Sequence, residues 1–130
     1  MQYTKALAQF AVQLQYSDLP SEVIAKACEI ALHAWGVQLA GSTLPWAKGA
    51  YRYVREQGGH PQCTVLNYGL RTSAFNAAFA NGTFGHGFEM DDNHAATGVK
   101  GGCVVVPTAF TIGEQRLADR KSTRLNSSHI

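Results

Sequence analysis

The sequence predicts an all-α fold, a helical bundle, and three observations predict it. Apolar residues recur at helical spacing through most of the 130 residues, helix-boundary residues stand where those runs start and stop, and the one stretch that reads as extended, the β-branched CTVLNYG, is short. At 45% hydrophobic and 15% charged, with 13 glycines, the composition fits one small domain.

From Thr4 to Tyr16, Leu7, Phe10, Ala11 and Leu14 form one apolar stripe, which predicts an amphipathic helix. SDLPSE follows, with Pro20 placed for a first helical position and Glu22 for a first turn. The run from Pro20 to Ala40 puts Ile24, Ala27, Cys28, Ala31, Trp35 and Leu39 on one face. Alanines and Gly36 thin that face for close helix approach, and Gly41 sits where a C-terminal cap belongs. Pro45 opens a third helix with Ala47, Ala50, Tyr51 and Val54 inward and Arg52, Arg55 and Glu56 outward, stopped by Gly58 and Gly59. CTVLNYG reads as a brief strand or an extended connector. Thr72 or Ser73 caps a fourth helix through Ala74, Ala77, Ala78 and Phe79 towards Gly85. Gly87 to Gly102 has no periodicity and reads as a loop. Helical character resumes from Val104 to Leu117, with Pro107 near its start.

Residues Asp119 to His129, DRKSTRLNSSH, have no periodic apolar face. All of them match the one-frame translation of a common short-read sequencing adapter, so residues 119–130 are expected to be a non-native tail and 1–118 a partial domain. Outside the tail, 8 Lys and Arg balance 8 Asp and Glu, and the formal charge of +2 disappears. That removes the argument for a nucleic-acid partner. No run approaches the roughly 18 apolar residues of a membrane span, and MQYTKALAQF lacks the basic start and apolar stretch of a secretory signal. Cys28, Cys63 and Cys103 are odd in number and include no CxxC pair, which argues against a disulfide framework or structural zinc site and fits a cytoplasmic setting.

Chemistry concentrates in NGTFGHGFEMDDNHAATGVKGG, residues 81–102, with His86, Glu89, Asp91, Asp92 and His94 within nine positions. Neighbouring acids and imidazoles can tune one another as a general acid–base set. The same groups can ligate a divalent metal, or they can be a solvated loop whose aspartates cap the next turn. The glycines do not form a phosphate-cradling GxGxxG after a strand. Cys103 reads as a buried apolar cysteine, His33 as a partly buried helix residue, and Trp35 and Trp46 as core or interface residues.

ALHAWGVQLAGS, SAFNAAFANGTFGHGFEMDDNH and GGCVVVPTAF together resemble the N-terminal part of the MmgE/PrpD family, which includes 2-methylcitrate dehydratase and cis-aconitate decarboxylase. The resemblance covers nearly all of Thr4 to Leu117, a fragment of about a quarter of such a chain. It implies a mostly helical N-terminal domain, a homodimer, and a lyase reaction on a small polycarboxylate without a cofactor. Glu89 stands where members often have the first Asp of a D-x-D-D pattern, and Asp91 and Asp92 fill the acid pair. His94 follows as a His often does. Members then usually show His-Pro-Gly or His-Pro-Ser, and this chain has Lys100, Gly101 and Gly102 there. The resemblance thus implies Asp91, Asp92, His94 and Lys100 as catalytic residues and His86 and Glu89 as substrate-binding ones, with no metal. Two alternatives stay open: a non-catalytic helical interaction module, and a metal-dependent hydrolase using His86, Asp91, Asp92 and His94.

Overall fold

The computed structural model describes residues 2–127, with side chains described over 2–117. Five helices and one small hairpin follow in the order α1 (Tyr3–Gln13), α2 (Ser21–Gly41), α3 (Pro45–Gln57), β1 (Cys63–Val65), β2 (Leu70–Thr72), α4 (Ala74–Gly87) and α5 (Gly102–Ser127), with a 3-10 turn at Tyr16–Asp18. Among the described residues, no helix is long and apolar enough to cross a membrane. The fold is therefore predominantly helical but not strictly all-α. CTVLNYG supplies a strand and a turn, and the partner strand is LRT, pairing Cys63 with Thr72, Thr64 with Arg71 and Val65 with Leu70. The turn between them uses Asn67 at φ 66° and Gly69 at φ 62°, left-handed positions that Asn and Gly tolerate best.

Helix α4 is the axis of the fold: α2, α3, α5 and both strands pack on it. Ser73 caps it, its side-chain oxygen accepting from the Asn76 N–H. Ala77, Ala80 and Phe84 of α4 share a fully buried core with Ala47 and Val54 of α3 and Cys63 and Val65 of β1. Removing a buried Phe side chain such as Phe84 costs roughly 3–5 kcal/mol. α3 buries Ala47 and Val54 and half-buries Ala50 and Tyr51, as its pattern predicts, with Arg52, Arg55 and Glu56 in solvent.

α2 forms where expected but turns a different face inward. Ala34, Val37, Gln38 and Gly41 are buried, whereas Ala27, Cys28, Trp35 and Leu39 are exposed. Closeness of approach decides this. A Cβ on Gly41 would lie 1.9 Å from the Phe84 carbonyl oxygen, so the α2 and α4 backbones touch at a point only glycine allows. Gly41 is the last residue of the helix, a contact surface for α4, and the cap position is Ser42 in right-handed helical conformation.

The hairpin is clamped from two sides. Asn81 of α4 accepts from the Leu66 N–H at 2.9 Å and donates to the Thr64 carbonyl at 3.0 Å. Glu114 of α5 accepts from the Thr64 N–H (2.8 Å), the Thr64 hydroxyl (2.7 Å) and Arg71 (2.8 Å). Pro107 lies inside α5 and cannot donate to the carbonyl of Cys103, four residues back. That carbonyl faces Gly82, where a Cβ would come within 3.0 Å. Gly82 and Gly41 therefore bring α5 and α2 close to α4.

α1 carries its predicted stripe but buries none of its residues; Leu7 is 68% and Phe10 62% exposed. Its helix ends at Gln13, short of the predicted Tyr16. The α5 backbone starts at Gly102 and runs past Leu117 to Ser127. The side chains of the expected non-native tail, residues 119–130, lie outside the described residues.

Candidate active site

The predicted loop joins the C-terminal end of α4 to the N-terminal end of α5, two helix ends brought together by the close packing just described. His86 lies in the last turn of α4. The chain then reverses through Glu89, whose φ of 55° is a left-handed conformation costing on the order of 1 kcal/mol for a residue with a Cβ. The Glu89 N–H donates to the His86 carbonyl at 3.1 Å and fixes the reversal. From α2, His33 Nε2–H donates to the Met90 carbonyl at 2.8 Å, tying the loop to a third helix. His33 is exposed, not partly buried, and this bond to the loop is a role the sequence did not signal.

Four ionisable side chains meet there. His86 Nδ1–H donates to Asp91 Oδ2 at 3.0 Å. Lys100 Nζ donates to Glu89 Oε2 at 2.5 Å and lies 3.3 Å from Asp91 Oδ1. His86 Nε2 is 3.9 Å from Glu89 Oε1. The Asp91 side chain is only 4% exposed, while His86 is 55% exposed, so a buried acid backs an accessible imidazole. Burial pushes the Asp91 carboxyl up, but His86, Cys103, its own backbone and Lys100 together outweigh it and leave it below the ordinary carboxylate range. The Lys100 hydrogen bond and charge lower Glu89, and Lys100 is raised in turn, chiefly by Glu89. Burial, then Asp91, raises the Cys103 thiol. This cluster can hold a proton on His86 with Asp91 fixing the ring, and it offers one cation, Lys100, between two carboxylates.

The two other predicted site residues go elsewhere. The Asp92 carboxylate packs against Gly102 at the start of α5, where a Cβ would sit 1.9 Å from Oδ1. His94 shares a 2.9 Å hydrogen bond with the Thr97 hydroxyl and pairs with Val99 in an isolated β-bridge. That bridge returns the chain so that Lys100 faces Glu89 and Asp91. Among the described residues, neither Asp92 nor His94 has a hydrogen bond or ion pair with the cluster. The four-residue metal set of the hydrolase alternative is not assembled; His86 and Asp91 instead approach Cys103, to within 4.8 Å atom to atom.

Cys103 is buried, as its sequence reading has it, but it lies beside His86 and Asp91, which that reading did not signal. Its signal was position: one residue into α5, after two glycines, at the point where the loop closes on itself. Both His86 and Cys103 line a groove of about 680 Å3 between α4 and α5, whose walls are otherwise mainly apolar, including Phe75, Phe79, Val104 and Ile112.

The chain is 31% identical over 120 residues to a cis-aconitate decarboxylase-like protein of Aspergillus oryzae, covering 92% of this chain and 25% of that protein. It is 25% identical over 111 residues to a cis-aconitate decarboxylase of Aspergillus terreus, covering 85% of this chain and 23% of the relative. The chain thus spans about a quarter of the length of these curated relatives. No solved structure matches it significantly. Residues 5–126 match the model of the MmgE/PrpD N-terminal domain, a span that runs across position 119, where the sequence suggests a non-native tail. The chain belongs to the MmgE/PrpD family, through that family's N-terminal domain.

Proposed function

We propose that this chain is the N-terminal part of a homodimeric lyase that acts on a small polycarboxylate by acid–base chemistry without a cofactor, of the cis-aconitate decarboxylase or 2-methylcitrate dehydratase kind. The observation that carries the reading is the His86–Asp91 pair. Asp91 accepts the hydrogen bond from Nδ1–H and holds the ring, which leaves Nε2 free to exchange a proton at the mouth of the groove. In a decarboxylation, the C–C bond to the leaving carboxylate breaks, carbon dioxide departs, and the electron pair left on carbon takes a proton from Nε2–H. In a dehydration, neutral Nε2 removes the proton α to a carboxylate, the C–O bond breaks, and the departing hydroxide takes a proton from solvent to leave as water. Lys100 is the local cation for a substrate carboxylate, which would displace the exposed Glu89 carboxylate from it. The names of the relatives support the reaction class.

The experiment compares two adjacent aspartates in the longer protein. Asp91→Asn is expected to lower kcat by roughly 10²–10⁴, the usual worth of a positioned proton-transfer group. Asp92→Asn should stay within a few-fold, because that side chain only abuts the start of α5. Lys100→Ala should raise KM for a tricarboxylate, and Lys100→His should retain turnover. If Asp92→Asn is the damaging change and Asp91→Asn is harmless, the assignment is wrong.

A further inference from the structure

Three donors of different chemistry converge beside the groove: an imidazole nitrogen from the end of α4, a carboxylate oxygen from the loop and a thiol sulfur from the first turn of α5. We propose that His86, Asp91 and Cys103 form a binding site for a divalent ion of the zinc class. Nitrogen, oxygen and sulfur together are the donor set that zinc and cobalt accept and that magnesium and calcium do not favour. Their ligand atoms all lie within 4.8 Å of one another. Zinc bonds of about 2.0–2.3 Å place tetrahedral ligands roughly 3.3–3.8 Å apart, so shifts of about an ångström close the site.

A second, independent observation points the same way. The Asp91 side chain is 96% buried by its 4% exposure, and its Oδ1 has no hydrogen-bond partner, only Lys100 at 3.3 Å. A coordinated ion would satisfy that oxygen. The surroundings also suit a metal. Glu89 Oε1 lies 3.9 Å from His86 Nε2, placed to hold the ring when Nδ1 ligates. His86 and Cys103 both open on the α4–α5 groove, which leaves a fourth position for water or a ligand. Binding shifts the imidazole proton from Nδ1 to Nε2 and releases the Cys103 thiol proton to solvent. Because the ion takes the same His86 and Asp91 atoms as the proton pair, its presence and lyase turnover exclude each other. That last clause rests on the proposed function; the binding itself does not.

Cobalt titration of the 130-residue chain tests the binding without any enzyme assay. Co²⁺ should give a near-ultraviolet thiolate charge-transfer band and tetrahedral visible bands, both removed by stoichiometric Zn²⁺. Cys103→Ser should lose the thiolate band and weaken Zn²⁺ by more than about tenfold. Cys28→Ser, on an exposed cysteine, should keep both. Wild-type chain gives a check free of folding effects: Zn²⁺ should slow alkylation of Cys103, mapped by mass spectrometry, and leave Cys28 unchanged. No thiolate band, a band that follows Cys28, or unslowed Cys103 alkylation would each overturn the site. If binding is found and Zn²⁺ leaves turnover of the longer protein intact, the lyase assignment of His86 fails and the metal site stands.

Discussion

Gly41→Ala and Gly36→Ala are the same chemical change five residues apart on one helix, and the structure gives them opposite signs. At Gly36 a new Cβ meets nothing within 4 Å. Alanine there gains helix propensity and limits the unfolded chain, worth about 0.5–1 kcal/mol of stabilisation. At Gly41 the same atom would stand 1.9 Å from the Phe84 carbonyl oxygen and 2.9 Å from its carbon, both backbone atoms that no rotamer change can move. Contacts below 3.0 Å essentially never occur for real Cβ atoms. α2 and α4 must therefore part by about an ångström, enough to forfeit a quarter to a half of each dispersion contact along the seam. Overpacking of this kind costs about 3 kcal/mol or more, and propensity returns about 1 of it. The net loss is about 2–4 kcal/mol, or a fall in Tm of roughly 8–16 °C for a chain of this size. Urea titration followed by circular dichroism measures both variants against the parent. A Gly41→Ala protein as stable as the parent would refute the reasoning that backbone contact, not side-chain size, sets the α2–α4 interface.

Two further outcomes are expected. Burial would raise the Glu114 carboxyl, but the Thr64 hydroxyl and N–H and the Arg71 guanidinium win and hold it below its ordinary value of 4.5. A depressed folded-state value stabilises the fold above the unfolded value and is lost as pH falls through the folded one, so stability should drop below about pH 4.5, and Glu114→Gln should flatten that part of the pH–stability curve. An equal acid slope in the variant would show that other carboxylates set it. The second outcome concerns association. Phe75 at 76%, Leu32 at 73% and Leu7 at 68% exposure, with Val104, Val105 and Ile112, leave more apolar surface open than a small monomer normally shows. Sedimentation at increasing concentration should show self-association, and a clean monomer with a cooperative melt would contradict it.

Much of the fold was legible in the sequence wherever contrast between faces was strong. α3 alternates Arg and Glu with Ala, Tyr and Val, so its inner face could be named residue by residue. α2 is rich in alanine all round, and size misled: Trp35 and Leu39 look like core, yet the small Ala34 and Gly41 are what α4 can approach. Trp35 instead lies 4.7 Å from the Phe110 ring and stays 41% exposed. LRT is three residues with an arginine in the middle, too short to show alternation, and it is a strand because Thr64 and Glu114 give Arg71 partners. In the site, spacing found the acids and histidines but not which of them meet. Glu89's reversal selects Asp91 over Asp92, and the His94–Val99 bridge takes His94 away while delivering Lys100. Both are backbone events that residue type alone does not encode.

The exposure of α1 has a consequence for how the chain opens. An 11-residue helix is near or below the length at which a helix holds in water without tertiary support. No side chain of α1 is buried, so it draws little from the α3–hairpin–α4 core and still bears the entropy of an ordered backbone. Its hydrogen bonds accordingly break at a free energy close to zero, while those of α4 break only when the core does. The molecule has two levels of protection, and amide exchange would separate them by orders of magnitude in rate. Anything that seats Leu7 and Phe10 on an apolar surface would bring the first level up towards the second.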